Sequence, residues 1–331
     1  MGATMKAIRL HQTGGPEVLR LEDVPIPSPG PGEVLIKVAV AGVNYADLGV
    51  RAGMFHPGGH GAPRLPLTPG FEVAGTVAAL GPGVTGPLEG ARVGAVQEDG
   101  GYAEWAVAPL DKNMAIPDGI DFAAATALLI QGPTAYGVLH DAGRLQSGEA
   151  VLVQAAAGGV GSLAVQLAKL AGAGTVVSTV GSAEKLALAR DLGADAAVGY
   201  EEGDWVDRVR EATGGRGVDL VLESVGGTIG ARAWDCLAPL GRYVPFGGAS
   251  GQPGPPPDLM RLNVLGQSLV GFGGPWLRPG RAVAAREAMA ALFRDGRLRI
   301  VVGRSFPLAE AAAAHRAVAG RATTGKVVLT L

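Results

Sequence analysis

The chain has 331 residues, 47% hydrophobic and 18% charged, with a formal net charge of −2 and a pI near 6.2. That length supports sizeable cores and more than one domain, and the near-neutral balance offers no basic face for nucleic acid or an anionic membrane. One cysteine, Cys236, excludes an internal disulfide and a cysteine-rich metal lobe, in keeping with a reducing cytoplasm. The opening MGATMKAIRL has no secretory apolar core, and Lys6 stands where a myristoylation pattern wants Ser or Thr. No run approaches the roughly 18 apolar residues of a membrane span, so a soluble cytoplasmic protein is expected.

Residues 1 to about 120 read as irregular β structure. Runs such as Glu33–Ala41 and Val73–Leu80 predict short strands, separated by Pro/Gly clusters at Pro25–Gly32 and Gly81–Gly90. From Asp121 the pattern changes. An Ala-rich helix over Phe122–Leu129 precedes Gln131-Gly-Pro-Thr134 and a second helical stretch to Asp141. Strand and helix then alternate: Val151–Gln154, a helix after Gly161, Thr175–Val180, Ala183–Leu192, Ala196–Val198 and Trp205–Ala212. The series continues through Val218–Glu223, a helix around Ala231–Leu237, and Gly241–Phe246. This predicts an α/β fold with a doubly wound parallel sheet. After the Pro-rich loop Gly251–Asp258 come a strand, Ser268–Phe272, a helix, Ala282–Arg294, and β structure again from Ile300. The expected organisation is a discontinuous domain, 1–120 with 296–331, and a sheet domain, 121–295, inserted into it.

The sheet domain is organised around Ala150–Ala171, AVLVQAAAGGVGSLAVQLAKLA. A buried strand opens it, and Leu163, Ala164, Leu167, Ala168 and Ala171 follow at helical spacing, with Gly172 placed to stop the helix. Between them, Ala156-Ala157-Gly158-Gly159-Val160-Gly161 meets the pattern G-x-G-x-x-G with one departure, Ala156 for the first glycine. Such glycines let the backbone approach a pyrophosphate at a helix N-terminus, whose N–H groups face it. An NAD site places a carboxylate roughly 20 residues further on, against the ribose 2′-OH. Here the second strand ends Ser178-Thr-Val-Gly-Ser182 and Lys185 follows, a hydroxyl and an ammonium that suit a 2′-phosphate.

The chain resembles the medium-chain dehydrogenases/reductases, in their zinc-free quinone oxidoreductase (ζ-crystallin-like) branch. The matching stretches are Gly15-Pro-Glu-Val-Leu19, Pro29–Lys37, Gly42-Val-Asn-Tyr-Ala-Asp47, Pro69–Gly75, Gln131–Thr134, the glycine turn, Gly217-Val-Asp219, Val225-Gly-Gly227 and Thr324-Gly-Lys326. The resemblance implies a GroES-like β-rich domain joined to a Rossmann domain, and NADPH as cofactor. It assigns the dinucleotide to Ala156, Gly158, Gly159, Val160 and Gly161, and the 2′-phosphate end to Ser182, Lys185, Tyr200 and Arg321. It places Asn44 and Asp47 at the nicotinamide end, with Thr134 near nicotinamide or substrate and Tyr45 and Phe55 on the substrate side. Phe55 stands where some relatives carry a tyrosine.

Zinc-dependent members hold their metal through a cysteine and a histidine at the positions of Asn44 and Phe71, whose amide and phenyl are no zinc donors. His56 and His60 are separated by Pro57-Gly58-Gly59 and have no evident third partner, so no metal is expected. The implied activity is metal-free hydride transfer from NADPH to a quinone, with Asn44 able to donate its amide N–H to a quinone oxygen. Reduction of the C=C bond of an α,β-unsaturated carbonyl is the alternative. A non-enzymatic role as a structural or RNA-binding NADPH protein is a third reading, opposed by the lack of basic charge. The resemblance also implies a homodimer through the sheet's edge strand, with Val270 and Phe272 at or near the interface. Cys236 is expected in the core.

Overall fold

A computed structural model describes residues 2–56, 59–60, 63–86, 89–254, 256–274, 277 and 279–331, the side chains of residues 55, 56, 59 and 60 excepted. The chain forms two compact units, Met1–Ile130 with Val301–Leu331, and Gln131–Ile300. The first runs through β1 (Thr4–Leu10), β2 (Leu19–Pro25), β3 (Glu33–Val43), α1 (Tyr45–Ala52) and the short pair β4 (Phe55–His56) and β5 (Gly59–His60). It continues with β6 (Glu72–Leu80), β7 (Arg92–Val96), β8 (Trp105–Pro109), β9 (Asn113–Ala115) and α2 (Phe122–Ala127). The second unit holds α3 (Gln131–Gly137), β10 (Ala150–Gln154), α4 (Gly159–Leu170), β11 (Thr175–Val180), α5 (Ala183–Asp191), β12 (Ala196–Gly199) and α6 (Trp205–Glu211). After these come β13 (Val218–Glu223), α7 (Gly227–Ala233), β14 (Leu237–Pro245), α8 (Leu259–Leu265), β15 (Ser268–Leu269) and α9 (Pro279–Arg294). The chain then returns to the first unit as β16 (Val302–Pro307), α10 (Ala311–Ala319) and β17 (Lys326–Thr330).

In the first unit a sheet is ordered β16-β17-β3-β6-β7-β9, with β8 also paired to β3. β17 lies antiparallel to β3 with Val327 opposite Val43, and β6 lies antiparallel to β3 with Val73 opposite Ala41. These two registers bring Lys326, Asn44 and Glu72 together from three distant parts of the chain. Ile8, Leu10, Val34, Ile36 and Val327 form part of the apolar core beneath them.

The second unit's sheet is wholly parallel, ordered β12-β11-β10-β13-β14-β15. In chain order this is 3-2-1-4-5-6, so the direction of winding reverses between β10 and β13, where doubly wound sheets bind ligands. All five residues of β10 are buried, as a central parallel strand covered on both faces requires.

Some sequence expectations shift. Residues 121–130 belong to the first unit rather than the second, because α2 packs on β3, β6 and β17. The returning segment starts at Val301 rather than 296. The strand expected over Ser268–Phe272 stops at Leu269, although Val270 still donates to Tyr243 O at 2.9 Å. Gly271, Gly273 and Gly274 give the ladder nothing to pack, and the Phe272 ring turns onto Gly137 of α3 instead. Cys236 sits in a short 3-10 turn, buried in the second core, where burial pushes its thiol up to about 12. Phe122–Ala142 is long and apolar enough to cross a membrane, but it is mostly buried within the protein, as core helices are.

Candidate active site

Between β10 and α4 the left-handed residue is Ala155, at φ 48°. Ala156, the departure from the glycine pattern, is buried and donates its N–H to Thr179 O of β11 at 3.1 Å, so its methyl is accommodated. Gly161 has no such room. A Cβ there would overlap the Ala155 carbonyl and lie 2.7 Å from Ala156 Cα. Gly159 likewise has the Gln131 amide, from α3, pressed against it. Gly158 is the extended N-cap, and the first intrahelical bond runs from Ser162 N to Gly158 O at 2.9 Å. The amides of Gly159, Val160 and Gly161 precede that bond and are the orphan donors of a helix start. A pyrophosphate fits this chemistry.

At the end of β11 no carboxylate occurs from Ser178 to Ser182. Ser182 is the exposed N-cap of α5, and Lys185 follows within one turn, half-buried. Tyr200 comes after β12, and a Cβ at Gly181 would lie 2.7 Å from its hydroxyl, so its phenol closes over the residue beside Ser182. Ser182 and the Tyr200 phenol thus lie beside one another at the neighbouring ends of β11 and β12. Arg321 belongs to the other unit, after α10, with φ 54°, and its charge acts on the Tyr45 phenol. Thr134 lies in α3, three residues after Gln131.

Asn44 caps α1. Its backbone N–H donates to Asp47 Oδ2 at 2.7 Å. Its side chain is tied into the sheet: Nδ2 donates to Glu72 Oε1 at 2.8 Å, and Oδ1 accepts from Lys326 Nζ at 3.2 Å. Lys326 also donates to Val43 O at 3.3 Å and forms an ion pair with Glu72 Oε1, both charged side chains being fully buried. Gly42 makes room for the carboxylate, since a Cβ there would lie 2.7 Å from Glu72 Cγ.

Asp47 is fully buried, which pushes its carboxyl up to about 7 against the Asn44 N–H and the Lys326 charge. Its Oδ1 has no hydrogen-bond partner, and the Tyr102 phenol faces it. The Tyr102 hydroxyl in turn lies 3.1 Å from His315 Nε2 of α10. Burial, helped by the Arg51 charge, lowers His315 to about 3 and keeps it neutral. Tyr45, 40% exposed, is raised by partial burial and lowered by Arg321 and Arg51.

Glu72, Lys326, Tyr102 and His315 have no counterpart among the residues expected from sequence. The available signal was a charged residue at the head of an apolar strand, Glu72 before VAGTV and Lys326 before VVLT. The side chains of Phe55, His56 and His60 lie outside the described residues. Among the described residues no three His, Cys, Asp or Glu side chains are clustered to hold a metal.

The description "Alcohol dehydrogenase GroES-like domain" matches residues 30–118, and "Zinc-binding dehydrogenase" matches residues 159–275. The chain is 37% identical over 326 residues to the 2-haloacrylate reductase of a Burkholderia species, covering 97% of each chain. It is 38% identical over 331 residues to the quinone oxidoreductase of Pseudomonas aeruginosa, covering 98% of this chain and 99% of that one. A mycobacterial protein solved in complex with NADPH superposes with a TM-score of 0.90 at 38% identity, over 99% of this chain and 100% of that one. Together with a glycine turn shaped for pyrophosphate and a second strand end without a carboxylate, these make the protein an NADPH-dependent oxidoreductase. The chain belongs to the medium-chain dehydrogenase/reductase family, in its zinc-free quinone oxidoreductase branch.

Proposed function

We propose that the protein reduces a quinone with NADPH, Asn44 donating its amide N–H to the acceptor oxygen. The observation that carries this reading is the Asn44 side chain, held at the N-cap of α1 with a neutral donor and no acid beside it except the buried Asp47 and the ion-paired Glu72. Bound NADPH supplies the hydride from its nicotinamide C4. Quinones accept hydride readily, so positioning outweighs acid catalysis, and an amide donor suffices for the charge that develops on oxygen. Asp47 holds the backbone of Asn44, and Tyr45, next to Asn44 on α1, lies on the acceptor's side. In the second unit Gly158–Gly161 take the pyrophosphate, and Ser182, Lys185 and Tyr200 the 2′-phosphate.

The test follows NADPH absorbance with 1,2-quinones, 1,4-quinones and enones in parallel. The expected result is kcat/KM for a quinone at least about ten-fold above any enone; the reverse order overturns the reading. C=C reduction is the second reading, favoured by the 37% identity to a 2-haloacrylate reductase, and 2-haloacrylate belongs in the same screen.

Lys185→Ala tests the cofactor end. Losing one charge-assisted contact to phosphate, worth about 1.5–3 kcal/mol, should raise KM for NADPH on the order of ten- to hundred-fold and leave that for NADH unchanged. Equal effects on both would remove Lys185 from the site.

Among the described residues no strand pairs with the outer side of the edge strand β15, and Leu240, Leu259, Met260 and Val264 in the β14–β15 region are each more than two-thirds exposed. We take this edge, with Val270 and Phe272 at or near it, as the homodimer contact, which would cover both the strand and the apolar surface. Sedimentation at micromolar concentration should give twice the chain mass; a monomer would reject the contact. A reducing compartment, the cytoplasm, suits an enzyme fed by NADPH whose one thiol is free and buried.

A further inference from the structure

We infer that the buried Lys326–Glu72 pair is a positioning device that fixes the orientation of the Asn44 amide and strengthens its one free N–H toward the acceptor; the inference rests on Asn44 being the acceptor's donor. An Asn side chain can present either end of its amide, and only its surroundings decide which. Here the decision is complete. An ammonium has donors and no acceptor, so the atom facing Lys326 Nζ at 3.2 Å must be the carbonyl oxygen. A carboxylate in the ion pair only accepts, so the atom facing Glu72 Oε1 at 2.8 Å must be the amide nitrogen. With one Nδ2 hydrogen on Glu72 and Oδ1 held toward Lys326, the side chain keeps one N–H to offer, and that N–H can stabilise a developing oxyanion.

The pair also supplies strength. Lys326 makes three contacts, to Glu72, Asn44 Oδ1 and Val43 O, which matches the three N–H bonds of an ammonium. A cation donating to Oδ1 draws electron density from the amide and makes its N–H groups better donors, an effect that grows in a site without water. Both charges have zero exposure, so solvent does not screen them. β17 and β3 are antiparallel neighbours and β6 pairs β3 on the other side, so the sheet itself holds this geometry and α1 only presents it.

An acceptor with a high reduction potential needs little help from a hydrogen bond, and a poor acceptor needs more, because more charge must be stabilised in its transition state. The signature of the pair is therefore graded across acceptors. The experiment measures kcat with saturating NADPH for quinones of decreasing reduction potential, in the wild type, Asn44→Ala, Glu72→Gln and the charge-neutral double variant Lys326→Met with Glu72→Gln. NADPH affinity by fluorescence and helix content by circular dichroism are measured beside it.

Glu72→Gln, which strips the buried Lys326 of its counter-ion and so loosens its hold on Asn44 Oδ1, and the double variant, which removes that donor, should lose less than about three-fold with the strongest acceptor and at least about ten-fold with the weakest, at unchanged NADPH affinity. A uniform loss across the series, or none, overturns the inference, because a merely structural role would not discriminate between acceptors. Should one of the two variants fail to fold, the other is read in the same way. If Asn44→Ala changes no acceptor's turnover, the assignment of Asn44 as donor fails. If Asn44→Ala lowers turnover while both pair variants match the wild type, that assignment stands and the positioning inference alone is lost.

Discussion

Lys326→Met is expected to be among the most destabilising single substitutions in the first unit. Methionine nearly matches the volume of the lysine stem, so little packing is lost, but Glu72 is left with no cation and no water. Breaking a buried pair from one side costs about 3–5 kcal/mol, which for a unit of this size lowers the melting temperature on the order of 10 °C. Adding Glu72→Gln should recover most of that loss, since removing both charges of a buried pair is often close to neutral. The amide oxygen of the introduced glutamine can accept from Asn44 Nδ2 as the carboxylate did, which leaves few polar atoms stranded. Thermal melts of the wild type, the single variant and the double variant decide the matter. A single variant within about 1 kcal/mol of the wild type would mean that the two charges are not truly excluded from water. The double variant then separates two roles of the same pair, because it should be nearly as stable as the wild type and yet deficient with weak acceptors.

Legibility from sequence divided along chain separation. The second unit was readable almost element by element, because each strand–helix step is local and its apolar period changes visibly from run to amphipathic stripe. The glycine turn followed from three neighbouring residues, and Ser178 to Lys185 from the next strand end. Errors there came from short elements: β15 shrank to two residues because glycines followed it, and α7 began four residues earlier than its apolar pattern suggested. The first unit was readable only as irregular β structure, since its pairings join residues far apart.

The network at Asn44 shows why. Lys326 and Glu72 are 254 residues apart and Tyr102 and His315 are 213 apart; Glu72 and Lys326 lie inside stretches that match the family, yet nothing local in any of the four segments names its partner. Asn44 and Asp47 were found through their motif, but their partners required the β17–β3–β6 registers. The boundary at 130 was missed for a similar reason. The α2 helix looks like the first member of the alternating series, and only its packing on β3 and β6 assigns it to the other unit.

The same network predicts a pH dependence in which two slopes oppose. Asp47 is held at about 7 in the fold, against about 3.9 for an ordinary aspartate. Between those values the folded chain keeps a proton that the unfolded chain has released. The stability from protonated Asp47 is therefore full below about pH 4 and is lost as pH rises through 7, at most about 1.4 kcal/mol per unit. His315 is held at about 3, against about 6.5 when unfolded. There the unfolded chain binds a proton that the fold refuses, so stability is full above about 6.5 and is lost as pH falls, with the same limiting slope.

In the shared window, from about pH 4 to 6.5, the two contributions nearly cancel, and wild-type stability should be almost flat as far as this network sets it. Asp47→Asn removes one slope and keeps an acceptor for the Asn44 N–H, so its stability should drop by up to about 3 kcal/mol, relative to wild type, on going from about pH 6.5 to 4. His315→Gln removes the other slope, keeps a partner for the Tyr102 hydroxyl, and should lose relative stability in the opposite direction, as pH rises. Urea midpoints at about pH 4.5 and 6.5 for the three proteins test this, because every other titrating group is common to them and drops out of the comparison. Parallel profiles would show that the buried carboxyl and imidazole titrate as they do in water, and that the chain Asp47–Tyr102–His315 is not closed to solvent. Profiles that diverge with opposite signs would leave Asp47, whose carboxyl accepts from the Asn44 N–H, half-protonated near neutrality at the edge of the proposed chemistry.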